Sequence, residues 1–188
     1  KKNIVDPVSI INNYGADTAR IFMLSDSPPE RNLDWSNSGI EGSRKFLVRV
    51  WSFFKNLELN IIEINKITSS ENNYPLDLIK KLHFCIEKVT KNLDNFQYNV
   101  AVAALREFAN YFFTLKFKDN DSIYNKALYE ALSKWVIMIS PLVPHLAEEL
   151  WRVLGYKNLV SEKKWPKYQN KFLAEDNVNL IIQINGKK

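Results

Sequence analysis

The stretch "LHFCIEKVTKNLDNFQYNVAVAALREFANYF", residues 82–112, decides the fold. Together with Ile79 just before it, Leu82, Ile86, Val89, Leu93 and Phe96 follow steps of three and four residues. That spacing puts them on one side of a helix, the seam along which helices of a bundle pack. It predicts a helix from about Leu76 to Phe96. Asn99 then reads as the N-cap of a second helix, whose stripe is Ala101, Leu105, Phe108, Phe112 and Leu115.

Working outward, the same period recurs on both sides. A further helix begins near Asp121 or Ser122 and carries Leu128, Leu132, Trp135 and Ile139. Pro141 and Pro144 in "SPLVPHLAEELW", residues 140–151, interrupt it, since neither has an N–H to donate and each crowds the preceding turn. A new helix is expected from Pro144 to Gly155. Upstream, Asp6 before Pro7 is an N-cap with proline at the first helical position, so a short helix should run to about Tyr14 and stop at Gly15. A second, Ala16 to Ser25, should bury Ala19, Ile21, Phe22 and Leu24 and end before Pro28 and Pro29. "SPPERNLDWSNSG", residues 27–39, reads as an ordered loop around Trp35. After Gly39 a long helix should bury Phe46, Val50, Phe53, Phe54 and Leu57 and turn Lys45, Arg49, Ser52 and Asn56 outward. "NKITSSENNYP", residues 65–75, is polar and turn-rich and predicts a flexible connection. Only near the end does the period change: in "VNLIIQING", Val178, Leu180, Ile182 and Ile184 alternate, as in one β-strand. The expected fold class is therefore all-α, with one strand at the C-terminal end. A lone strand lacks a partner, so the chain reads as a piece of a larger protein.

Composition narrows the function. Of 188 residues 46% are apolar and 25% charged, which suits one good buried core, and no apolar run reaches the length of a membrane span. A signal peptide is not visible, and a cytoplasmic location is expected. The single Cys85 forms no internal disulfide, and with only His83 and His145 beside it no metal-ligand spacing appears. No glycine-rich phosphate loop or nucleophile elbow is present either. The nearest approach to acid/base chemistry is His145 with Glu148 or Glu149 one turn on; it, like His83, reads more simply as a structural histidine.

The formal charge of +5 fits a polyanionic partner, and its distribution is uneven. Arg44, Lys45, Arg49 and Lys55 lie on the first long helix. Residues 157–171 set Lys157, Lys163, Lys164, Lys167 and Lys171 against Glu162 alone. Both groups could grip phosphates, although from composition alone a solvated face is the default exterior of any bundle. Trp135 sits at a core position, whereas Trp35 and Trp165 stand in loops, where a base could stack on them.

The phrases "NIVDPVSIINNYGADTARIFML" and "SPPERNLDWSNSGIEGSRKFLVRVW", then the 82–112 stretch, "ISPLVPHLAEELW", the Trp165-Pro166 pair and "IIQINGK", resemble the leucyl-tRNA synthetase family in its bacterial or organellar form, in the family's order. "YGADTAR" is similar to motifs of the valine, isoleucine and methionine enzymes; "LDWSNSGIEG" and "QINGK" resemble the leucine enzyme more narrowly. The resemblance implies a helical anticodon-binding domain of an enzyme that joins leucine to tRNA(Leu) with ATP and magnesium and edits misacylated product. In that family the "KMSKS" signature sits just before the phrase resembling Lys1 to Pro7, so no catalytic, ATP-binding or editing residue carries over onto this chain. The division it implies is 1–40, a junction following the catalytic domain; 41–165, the bundle; and 166–188, a connection and the first strand of a C-terminal domain. The partners it implies are tRNA(Leu) and the enzyme's remaining domains, with no membrane. Its tRNA contacts would be Arg44 and Arg49, with Lys45 as a third, positioning phosphates without reading bases. Other readings of the same residues are a noncatalytic RNA-binding or protein-interaction module, or the equivalent domain of a valyl or isoleucyl enzyme.

Overall fold

Asp6 caps the first helix as its place before a proline requires, its carboxylate accepting from the Val8 and Ser9 amides at 3.2 and 3.1 Å. The structure, a computed structural model, describes residues 5–57, 75–118 and 121–173. Helix α1 spans Pro7–Tyr14 and α2 Ala16–Asp26, separated by Gly15 at φ 86°, a left-handed position that glycine occupies without steric cost. Helix α3 spans Asn37–Lys55 and begins before Gly39, not after it, because the Ser36 hydroxyl accepts from the Gly39 amide and supplies the cap. Gly39 lies inside the helix for a packing reason: a Cβ there would meet the Phe22 ring at 2.6 Å. The buried stripe of α3 is Ile40, Ser43, Leu47, Val50 and Phe54. Phe46 and Phe53, expected in the core, flank that stripe half-buried and turn toward a later helix.

That later helix belongs to a pair, α4 over Leu76–Asp94 and α5 over Tyr98–Phe112, which pack closely on each other. Three expectations change here. Phe96 is not on the α4 seam; it takes a left-handed φ of 58° and is 63% exposed. The chain reverses at this point, with the Gln97 amide bonded to the Asn92 carbonyl at 2.8 Å, and a bulky residue takes the strained turn position. Consequently α5 starts at Tyr98 with Gln97 in the cap position, so Asn99 is a helical residue and not the cap. Leu115 lies past the end of α5, half-buried against the core.

Asp121 accepts from the Tyr124 amide and caps α6, Ser122–Ile139, as expected. After the two prolines α7 covers Pro144–Val153. Helix α6 is buried on more than one side, from Ala127 and Leu128 through Met138 and Ile139, so it forms the centre of the bundle. Trp135, fully buried, lies 5.0 Å edge-on from Phe112 and 6.3 Å from Phe54, and donates Nε1–H to the Leu105 carbonyl at 3.1 Å. Among the described residues no helix is long and apolar enough to cross a membrane.

Past Gly155 the chain returns over α4 and α6 through two 3-10 turns, 160–162 and 170–172. Trp165 donates to the Thr90 hydroxyl at 2.8 Å, so this loop tryptophan is engaged in packing. The Gln169 amide donates to Nδ1 of His83 at 3.1 Å, and the Phe172 ring stacks on that imidazole 4.7 Å away. The expected strand over 178–184 and most of the expected flexible connection, residues 65–74, lie outside the described residues.

Holding an amide on Nδ1 requires neutral His83. Burial, then Lys134 and Lys171, pull its pKa down from 6.5 to about 4. Between those values the unfolded chain takes up a proton that the folded chain refuses, so stability present above pH 6.5 is lost as pH falls toward 4. His83→Gln, which keeps an acceptor and does not titrate, is expected to flatten that dependence. Urea unfolding at pH 7 and pH 4.5 checks it, with equal pH losses in both proteins counting against the assignment.

Candidate nucleic-acid interface

On helix α3, Lys45 and Arg49 lie roughly opposite the buried stripe, and Arg44 flanks it one turn before Leu47. Arg44 and Lys45 are exposed, and among the described residues their charged ends form no hydrogen bond or ion pair. Arg49, also exposed, is held differently: its guanidinium lies 4.3 Å over the Phe113 ring and reaches Asn110 Oδ1 at 3.5 Å. The three sequence-selected residues thus share one helix, with Arg49 leaning onto the end of α5 and the other two projecting into solvent. Lys55 lies 5.6 Å over Trp51.

A fourth cation, Arg106 of α5, was not picked out by periodicity or charge clustering. It stands half-buried in the seam between α3 and α5, its Nη2 donating to Ser43 Oγ at 3.3 Å and its guanidinium 4.9 Å over the Phe46 ring. Nε is buried without a partner among the described residues. Burial pulls its pKa below the ordinary value, and no carboxylate among the described residues offsets that penalty. The only signal in the sequence was an arginine directly after the core residue Leu105.

Other candidates resolve into structural roles. His145 does not pair with Glu148 or Glu149; its Nδ1 lies 2.9 Å from Asp17 Oδ1. Glu148 accepts from the Val160 amide and Glu149 pairs with Arg152 at 2.7 Å. Asp17 also accepts from the Leu146 amide at 2.7 Å. Its neighbour one turn on, Arg20, donates to the Leu142 and Pro141 carbonyls at 3.0 and 2.8 Å. Helix α2 therefore holds the α6–α7 turn from outside: a carboxylate at the positive end of α7 and a guanidinium at the negative end of α6. Since α7 has Val143 in its cap position, Asp17 is the cap, supplied by another helix.

Trp35 packs edge-on against Phe22 at 5.2 Å and donates to Asn37, so its ring is engaged. In the basic loop, Lys163 lies 5.8 and 6.0 Å over Trp151 and Tyr156, themselves stacked at 3.7 Å, while Lys157, Lys164, Lys167 and Lys171 are exposed. A groove of about 520 Å³ between α4 and α5 sets Lys81, Lys88 and Lys91 beside Glu87 and Glu107. Two of those lysines are paired with the glutamates, which makes it a weaker anion site than the α3 face. Cys85 is buried with its thiol pushed up to about 12, so it is a core thiol and no nucleophile at neutral pH. Among the described residues no three His, Cys, Asp or Glu side chains form a metal-binding group.

Residues 76–188 match the family model described as the anticodon-binding domain of tRNA ligase. The whole chain aligns with a leucine-tRNA ligase of Bartonella bacilliformis at 45% identity over 190 residues, which is 22% of that protein. It aligns likewise with one of Lawsonia intracellularis at 41% over 196 residues, 23% of that protein. The chain thus spans somewhat over a fifth of the curated relatives it matches. Among solved structures, the Agrobacterium radiobacter K84 agnB2 LeuRS in its ternary complex with tRNA and LeuAMS superposes with a TM-score of 0.79 at 26% identity, covering 98% of this chain and 23% of that one.

Proposed function

We propose that this chain, which belongs to the anticodon-binding domain family of the tRNA ligases, is the tRNA-binding part of a leucine-tRNA ligase. The observation that carries the reading is the α3 face, where Arg44 and Lys45 extend unpaired among the described residues and Arg49 is braced beside them. Three cations on one rigid helix suit contacts to a phosphate backbone. Such contacts fix where the RNA lies without reading its bases. The sequence kinship to leucine-tRNA ligases and the fold shared with a synthetase complexed with tRNA support the substrate, tRNA(Leu).

In this reading residues 1–40 join the bundle to a preceding catalytic domain, 41–165 form the bundle, and 166–188 lead into a C-terminal domain. Leucine activation with ATP and magnesium, and editing, belong to the enzyme's other domains in the cytoplasm. The bundle's part is to hold tRNA at a fixed place relative to them.

The test is Arg44→Ala/Lys45→Ala/Arg49→Ala in the full-length polypeptide. Three lost phosphate contacts should reduce the slope of log K against log salt by about 3 and weaken tRNA(Leu) binding by roughly 10- to 100-fold near 0.15 M salt. KM for tRNA should rise while leucine-dependent pyrophosphate exchange, which needs no tRNA, holds. An unchanged salt slope would sink the assignment.

A further inference from the structure

Arginines drawn out of water between two helices normally meet a carboxylate. Among the described residues Arg106 meets a hydroxyl and an aromatic ring, and its buried Nε has no hydrogen-bond partner. The acid next to it in sequence, Glu107, is turned to Lys88 at 3.4 Å. Two residues from Ser43 on α3, Glu41 falls about 200° around the helix. The cation beside the seam is like-signed: Arg49 contacts Asn110, one turn along α5 from Arg106, and Lys45 lies one turn before Arg49 on the outer face of α3. Backbone access is open as well. Gly42, next to Ser43, is exposed, and a Cβ there would meet nothing within 4 Å, so unlike Gly39 it has no packing reason to lack a side chain.

We propose that Arg106 and the Ser43 hydroxyl form a phosphate seat for the RNA backbone at the α3–α5 seam, continuous with the α3 face through Arg49. A phosphate oxygen there would receive a planar, charge-assisted fork in a partly desolvated setting, where such bonds are strongest. The seat supplies the anion that Arg106 lacks among the described residues, and burial of the guanidinium aims it before RNA arrives. This inference rests on the tRNA-binding reading above and adds one contact to it.

The experiment compares Arg106→Met and Arg106→Lys with the parent in the full-length polypeptide, titrating a tRNA(Leu) transcript at several salt concentrations and recording Tm without RNA. Methionine fills the seam without the charge. It should leave Tm unchanged or higher, reduce the salt slope by about 1 and weaken binding by roughly 5- to 10-fold. Lysine should keep the slope and recover only part of the affinity, because a point charge cannot reproduce the fork. If Arg106→Met lowers Tm and leaves slope and affinity alone, Arg106 is a packing residue and the seat is wrong. If that variant is silent while the triple α3 variant weakens binding, the seat falls and the tRNA reading stands. If both leave the slope unchanged, both fall.

Discussion

Asp17→Ala is expected to lower the unfolding free energy by about 2–4 kcal/mol, measured by urea denaturation, a large effect for a single carboxylate. Two losses add. The Leu146 amide, bonded at 2.7 Å, would be left without a partner at a part-buried position, and α7 would lose the side chain that caps it. Asp17 is itself 9% exposed, so water cannot simply replace it. Asp17→Asn separates the contributions: an amide oxygen still accepts from Leu146, and only the charge at the end of α7 and opposite His145 is lost, at about 1 kcal/mol. Arg20→Ala should cost less than Asp17→Ala, and the double variant should cost less than the sum, since both grip one turn. Additive effects, or a silent Asp17→Ala, would remove the cap assignment.

Trp135→Ala should cost about 3–5 kcal/mol, the range for deleting a buried aromatic side chain. The indole is fully buried and contacts Phe54 and Phe112, which come from two other helices, so its removal opens a cavity where three helices meet. Trp135→Phe keeps most of the packing and loses the hydrogen bond to Leu105, for roughly 1–2 kcal/mol. Chemical denaturation with both variants checks the order, and a Phe variant as unstable as Ala would mean that the hydrogen bond dominates the site.

The bundle was legible because its signals are local. Asp6-Pro7, Asp121 and Pro144 mark helix starts through the chemistry of their own neighbours, and the α6 stripe of Leu128, Leu132, Trp135 and Ile139 is buried as its spacing indicated. Boundaries slipped where a competing local bond won. Ser36 moved the start of α3 earlier, and the α4–α5 reversal took Phe96 out of the seam although its spacing fitted. On α3 the apolar positions outnumber those one stripe can bury, and the stripe that goes in, with Leu47, is the one left by packing against α2 and α7, while Phe46 flanks it.

For the interface, Arg44 and Lys45 stand outside as their helix phase required, whereas the bracing of Arg49 on Phe113 depends on a residue 64 positions away. Arg106 escaped notice because a lone arginine in an apolar run carries no periodic mark; its meaning comes from the partner it lacks. "YGADTAR" was recognisable as a phrase before its physics was visible. The acceptors and donors that Asp17 and Arg20 serve lie more than 120 residues further along the chain.

The grip of α2 on the α6–α7 turn also bears on how this sequence can drift. Arg20 binds two main-chain carbonyls, and Asp17 a main-chain amide, so the side chains at 142 and 146 do not enter those bonds. Substitutions there are limited by core packing alone, while changes at 17 or 20 remove the contact outright. Lineages descending from this chain should therefore exchange one apolar residue for another in the turn while keeping the two charged letters that hold it, and a library selected for folding should reproduce that asymmetry.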